Sequence, residues 1–246
     1  MTRTLPHYRS LAPVALISML SARLAAHDAA SEAHCHRVAV PAVAVGRELG
    51  LPTPRLVALA RAALVHDVGK LAIAPAVLRK PGPLSAQEYE QVQDHAAAGE
   101  LLLRSLGMEA EASVVRHHHE RIYGRGYPDM LAEDDIPLES RIILTVDAFD
   151  AMTAERPYRA RISRTAALSE LHRHAGTQFY PRCVEALARV IARSGRDGPL
   201  DEVDDVGRRA AGREHLGHAK LFQLRNVVRR DRAAYRDDHV LGALLP

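Results

Sequence analysis

The sequence predicts an all-α fold, and three observations carry that prediction. Apolar residues fill 47% of the 246 positions while aromatics fill only 4%. The apolar content is mostly Ala, Leu and Val, a mixture rich in helix formers. Apolar positions recur three and four residues apart in successive segments, and clusters of Pro, Gly and Ser separate those segments. The length suits one large domain, or one domain with an appendage. Net charge is +3 with histidines neutral, and the pI is about 9.0. That mild basicity is spread over many arginines and does not argue for a nucleic acid polymer as partner. Cys35 and Cys183 are the only cysteines. They imply a reducing, cytoplasmic setting without a disulfide framework.

Residues 11–33 read as the first helix, with Leu16, Met19, Leu20 and Leu24 at helical spacing. The apolar stretch 11–20 is too short to span a bilayer, and Pro13 interrupts it. A buried first helix is the expectation, with no membrane span and no signal peptide. Residues 34–49 are helical in period, and Pro41 should kink or divide them. After Gly50-Leu51-Pro52, Thr53 is placed to cap a helix whose first position is Pro54. That helix leads through Leu56, Leu59 and Leu64 to His66-Asp67.

A Pro/Gly-rich loop follows. Ser85 and Glu88 then form a capping box, opening a helix that carries His95 and closes near Gly107. Another helix from about Glu109 delivers His117-His118-His119-Glu120. Residues 123–128 hold two glycines and a proline and must be a loop. The segment 138–154 is a helix with Asp147 and Asp150 among apolar residues. Arg156-Pro157-Tyr158-Arg159 leaves it as a loop. Ser163 caps the next helix, and Pro181 starts the last, to about Ala192. Residues 1–194 therefore read as one helical domain. Residues 195–246 read as a linker and a charged, irregular or short-helical extension of unknown role.

Histidine is the unusual residue: there are 14. His66-Asp67 offers adjacent nitrogen and oxygen ligands to one divalent ion, and a carboxylate can also bridge two. Lys70, three residues on, would place a cation beside an anionic substrate. His34, His66, Asp67, His95, His118, His119 and Asp147 lie on five predicted helices. Facing helices of a bundle build metal sites in this way. Seven ligands exceed the need of one ion and suit two, the arrangement that clamps a phosphate in hydrolysis. Any one helical histidine, taken alone, is more often a surface or satisfied core residue. Asp147 is harder to dismiss, since a buried carboxylate needs a cation or several hydrogen bonds.

The ordered motifs resemble the HD-GYP family, a branch of the HD phosphohydrolases. They are His34-x-x-Arg37-Val38, His66-Asp67-x-Gly69-Lys70, Lys80-Pro81-Gly82-x-Leu84-Ser85, His95-x-x-x-Gly99 and His118-His119-Glu120-Arg121. Then come Gly124-x-Gly126-Tyr127-Pro128, Ile136-Pro137-Leu138, Asp147-x-x-Asp150-Ala151-Met152-Thr153, Arg156-Pro157-Tyr158-Arg159 and Gly176-x-x-Phe179. The resemblance covers about residues 20–192. It implies an HD-type helical bundle holding two or three divalent ions, typically iron or manganese. It also implies hydrolysis of cyclic di-GMP to the linear dinucleotide pGpG, sometimes on to GMP. By matching positions, His34, His66, Asp67 and Asp147 would hold one ion, and His95, His118 and His119 the second. Asp67 would bridge them and, with Lys70, serve catalysis. Lys70, Tyr127, Arg156 and Arg159 match positions that contact substrate phosphates. A GGDEF-type cyclase at the GYP loop and a homodimer are the protein partners in this picture.

The sequence also departs from the family. Some members carry a glutamate four residues before the first histidine, which supports a third metal; here Ala30 stands there. Glu32 is displaced from that position by two residues, roughly 200° around a helix, so it should point away from His34, leaving two metals. The usual Asp of the GYP loop is Tyr123, followed after Gly124 by Arg125. Phe179-Tyr180-Pro181 replaces the usual Phe-Asp-Pro. The competing readings are a weakly active module that binds cyclic di-GMP or a GGDEF protein, and a hydrolase of another cyclic dinucleotide.

Overall fold

The computed structural model describes residues 13–154 and 161–194. Among them are ten α-helices, two 3-10 turns and no strand. The extension expected at 195–246 and the loop arginines Arg156 and Arg159 lie outside the described residues. The helices are α1 (Pro13–His27), α2 (Ala29–Glu48), α3 (Thr53–Leu64), α4 (Pro75–Leu78) and α5 (Ala86–Gln93). They continue with α6 (His95–Ser105), α7 (Glu109–Arg116), α8 (Leu138–Thr153), α9 (Arg164–Arg173) and α10 (Pro181–Arg193).

α2 is the central element. It packs against α1, α3, α8 and α10, so it is buried on several sides. Apolar periodicity alone places the start of this helix at His34 and the end of the first at residue 33. The chain instead breaks at Asp28. Its carboxylate accepts from the Ser31 backbone N–H, capping α2. The Ala-Ala-Ser run after it hid the boundary, because those residues suit either helix.

Pro41 does not divide α2. A proline inside a helix costs about 3 kcal/mol through the lost hydrogen bond and ring clash. Val38, Ala39, Ala42, Val43 and Val45 are all fully buried around it. Each buried valine contributes roughly 1.5–3 kcal/mol, which outweighs that penalty. α1 docks with Leu16, Ile17, Leu20 and Leu24 inward, as expected of a buried first helix.

Further boundaries differ from expectation: α7 stops at Arg116, so His117, His118 and His119 follow it in a turn rather than on the helix. Pro52, not Thr53, is the N-cap residue of α3. The Ser85–Glu88 capping box forms and opens α5, but Asp94 interrupts the helix before His95. His95 therefore heads its own helix. Within the described residues no helix is long and apolar enough to cross a membrane.

Candidate metal centre

α3 ends at Leu64, so His66 and Asp67 sit in a turn rather than on the helix. A 3-10 turn, Val68–Ala72, follows directly. In that tighter helix, residues three apart eclipse. Lys70 accordingly returns to Asp67, Nζ to Oδ2 at 2.7 Å. Gly69 makes the turn fit: a Cβ there would collide with the His95 carbonyl oxygen and lie 2.6 Å from the Gly99 nitrogen. The backbone of the His-Asp turn thus rests directly on α6, next to His95.

Three histidines are aimed by one device. His66 Nδ1 lies 2.8 Å from the Ala63 carbonyl, His95 Nδ1 2.6 Å from Val92 O, and His118 Nδ1 2.6 Å from Val115 O. A carbonyl only accepts, so each Nδ1 donates its proton. Burial lowers the pKa of all three, His118 farthest. Each ring is therefore neutral, with a bare Nε2 pointing inward. His95 Nε2 and His118 Nε2 face each other at 3.2 Å with no proton to share. Two lone pairs at that distance repel unless a cation lies between them. Metal–imidazole bonds of about 2.0–2.1 Å suit such a separation for neighbouring ligands of one ion.

The rings form a continuous chain. Centroids are 5.2 Å apart for His34–His66, 5.1 Å for His66–His118, 5.1 Å for His118–His95 and 5.0 Å for His95–His119. Ligand atoms of His34, His66 and Asp67 all lie within 4.8 Å of one another, as do those of His95, His118 and His119. Asp67 stands between the two groups. Its Oδ2 is 3.7 Å from His66 Nε2 and its Oδ1 3.5 Å from His95 Nε2. Burial would raise this carboxyl, but Lys70 and the histidines hold it well below the usual range. It offers one oxygen to each half of the cluster. Burial likewise pulls His119 down to about 3, so its ring is neutral too. This donor set of neutral imidazoles around ionised carboxylates fits two divalent ions of borderline character.

His34 differs. Its Nε2 is 2.9 Å from Asp147 Oδ1 and its Nδ1 2.7 Å from Asp150 Oδ2. Burial opposes its charge, yet the two carboxylates outweigh that and raise it to about 9. The proton on Nε2 occupies the place a metal would take between His34 and Asp147. Asp150 in turn accepts a guanidinium fork, Arg37 Nε to Oδ1 at 2.8 Å and Nη2 to Oδ2 at 3.0 Å. A carboxylate behind a ligating histidine fixes its ring and raises its basicity.

All seven ligand candidates therefore converge, together with Lys70. Tyr127 reaches the same place and stacks on His119, centroids 4.8 Å apart at 28°. Arg156 and Arg159 are outside the described residues. Asp150 and Arg37 stand in the ordered motifs without an assigned role. Their signal was present in two spacings of three, Asp147 to Asp150 on α8 and His34 to Arg37 on α2. Glu32 pairs with His36, 2.9 Å, and accepts from the Ser21 hydroxyl, 3.1 Å.

Residues 13–183 match the HD domain family. A 3'3'-cGAMP-specific phosphodiesterase of Vibrio cholerae is 41% identical over 159 residues, covering 64% of this chain and 35% of the relative. The cyclic di-GMP phosphodiesterase response regulator RpfG of Xanthomonas campestris is 39% identical over 176 residues, 70% of this chain and 47% of the relative. The chain thus spans about a third to a half of the length of these curated relatives. The crystal structure of the V. cholerae cyclic GMP-AMP phosphodiesterase V-cGAP3 superposes with a TM-score of 0.59. There 88% of this chain and 59% of the other align at 20% identity, a likeness of fold. A clasped histidine–aspartate centre, ordered motifs and the family match lead to one conclusion: the chain belongs to the HD domain family, in its HD-GYP branch.

Proposed function

We propose that this chain is a metal-dependent phosphodiesterase that hydrolyses cyclic di-GMP to linear pGpG. The observation that carries the reading is the convergence of six candidate ligands in two adjoining groups, with Asp147 beside His34, onto a cluster with facing bare nitrogens. His34, His66, Asp67 and Asp147 would hold one ion and His95, His118 and His119 the other, with Asp67 shared. Two divalent ions held there, iron or manganese, would supply charge neutralisation at the phosphate and acidify a water enough for it to act as nucleophile at neutral pH. Water adds across one phosphodiester: an oxygen–phosphorus bond forms and the P–O3′ bond breaks. The attacking water's protons end on bulk base and on the departing 3′ oxygen.

The protein's own groups prepare that exchange. The Lys70 ammonium lies beside Asp67 and keeps its charge despite burial, because Asp67 outweighs desolvation. It is placed to donate to a non-bridging phosphate oxygen. Tyr127, stacked on His119 and edge-on to His95, together with Arg156 and Arg159 completes the phosphate clamp in this reading, since arginine forks match phosphate oxygens. The pairing of Glu32 with His36 and Ser21, and Ala30 at the position of the family glutamate, favour two ions rather than three. The first cleavage then outruns the second and pGpG accumulates.

A second reading, hydrolysis of 3'3'-cGAMP, is favoured by the cGAMP-specific relative at 41% identity. A cytoplasmic setting follows from either substrate and suits two free, buried cysteines. A GGDEF-type cyclase would meet the GYP loop, where Tyr123 and Met130 are exposed. The test is turnover of cyclic di-GMP and 3'3'-cGAMP by anaerobically purified protein, with products separated by chromatography. Conversion of cyclic di-GMP to accumulating pGpG is expected. Preference for 3'3'-cGAMP establishes the second reading, and turnover of neither overturns both.

A further inference from the structure

The segment from Ile122 to Asp135 leaves the helical bundle and returns to it. Its fastening to the ligand-bearing turn 117–120 is unusually dense. Glu120 is only 1% exposed. Its carboxylate accepts two backbone N–H groups from across the loop, Asp129 N to Oε1 at 2.7 Å and Leu131 N to Oε2 at 3.1 Å. Asp129 then accepts a guanidinium fork from Arg116, with both contacts at 2.6 Å, and lies 3.0 Å from His117 Nε2. Arg116 is anchored on the other side by Glu100 of α6, at 2.6 Å. At Gly126 the loop presses on the turn itself: a Cβ there would strike the backbone of Glu120 and Arg121. Tyr123 and Ala132 close the base of the loop by a bridge.

The loop is also held in conformations that L residues rarely adopt. Met130 and Glu133 have φ of 55° and 43°. Such backbone persists only where its surroundings impose it. Leu131, between them, is one of the residues Glu120 holds. Between Gly126 and Asp129 lies Tyr127, stacked on His119. None of the clasp side chains belongs to the ligand set.

We propose that Glu120 is a positioning residue: by clasping the loop to the His117–Glu120 turn it holds Tyr127 over His119, on the substrate side of the centre. Glu120 sets where substrate sits and leaves the ions alone. The part of this concerning substrate rests on the phosphodiesterase reading; the clasp itself does not.

Glu120→Gln keeps the size but turns an amide donor against one of the two backbone donors. In the full metal-loaded chain, deuterium exchange of the 123–132 segment should then accelerate about tenfold, as one buried hydrogen bond is lost. Metal per chain should not change. KM for cyclic di-GMP should rise about tenfold with kcat within about threefold of the parent, since misplacement weakens positioning. In a Tyr127→Ala background, the same substitution should change KM less than about twofold, as expected when one residue acts through the other. Unchanged exchange overturns the clasp. Loss of metal, or KM effects that add in the double variant, overturns the positioning role. If Glu120→Gln does not fold, Asp129→Asn takes its place: faster exchange with metal retained supports the clasp and unchanged exchange overturns it. If the parent turns over no cyclic dinucleotide, the phosphodiesterase reading fails, and exchange with metal content decides the clasp by itself.

Discussion

At the scale of single residues, protonation divides the centre. His66, His95, His118 and His119 are held neutral by burial, His119 down to about 3. In the metal-free protein, the unfolded chain binds protons as pH drops below 6.5 while the fold refuses them. Stability must therefore fall across that window, through His119, whose ring stays neutral down to about 3, with the other three acting in the same direction. His34 has the opposite sign. Its pKa is raised to about 9, so its contribution is complete below 6.5 and is lost as pH rises through 9. Metal-free protein should be most stable near neutrality. Urea midpoints in chelator between pH 5 and 9 check this; a flat profile from pH 5 to 7 contradicts it.

The phosphate clamp is a second prediction at this scale. Arg156→Ala and Arg159→Ala should each weaken cyclic di-GMP binding about tenfold to a hundredfold, the worth of one charge-assisted contact, without changing metal content. Equal affinity in both variants would place these arginines in solvent. The sequence could name such residues by their motifs. The spacings His34 to Arg37 and Asp147 to Asp150 single out Arg37 and Asp150, but that they meet each other behind His34, across α2 and α8, is not written in either segment alone.

At the scale of elements, the site depends on one close approach. The Val68–Ala72 turn lies on α6 because Gly69 has no side chain, and this brings Asp67 to 3.5 Å from His95. Gly69→Ala must push backbone from backbone. It should destabilise by at least about 1–3 kcal/mol, the usual range for overpacking, and weaken metal binding as Asp67 moves off. Thermal unfolding and metal titration of the variant measure both. Unchanged stability would mean that the two segments are not in contact. Most helices were legible from apolar period and caps: the Ser85 capping box and the Ser163 cap form as expected. The boundaries at Asp28 and Asp94 were not. Each falls on an aspartate flanked by residues that suit helix on either side, and at Asp28 the carboxylate that caps α2 sets the break.

At the scale of the whole molecule, the bundle gathers charge and lone pairs that do not stabilise it unaided. Facing nitrogens on His95 and His118, and a proton trapped between His34 and Asp147, mark places where a cation lowers the energy. Binding to the fold alone stabilises by mass action, about 2.7 kcal/mol at a hundred times Kd. Chelation should lower the melting temperature, and added iron or manganese should restore it. The all-helical class was readable from composition and period, and the candidate ligands were picked out by their ordered motifs. Convergence was not, since it depends on α2 packing against α8 and on the 68–72 turn packing against α6.

The central claim is that Asp67 is shared by two ions. Elemental analysis of anaerobically purified protein tests it most directly, comparing the parent with Asp67→Ala. We expect two ions per chain in the parent and loss at both positions in the folded variant. Full metal content in Asp67→Ala, or a parent that takes up no divalent ion, would contradict it.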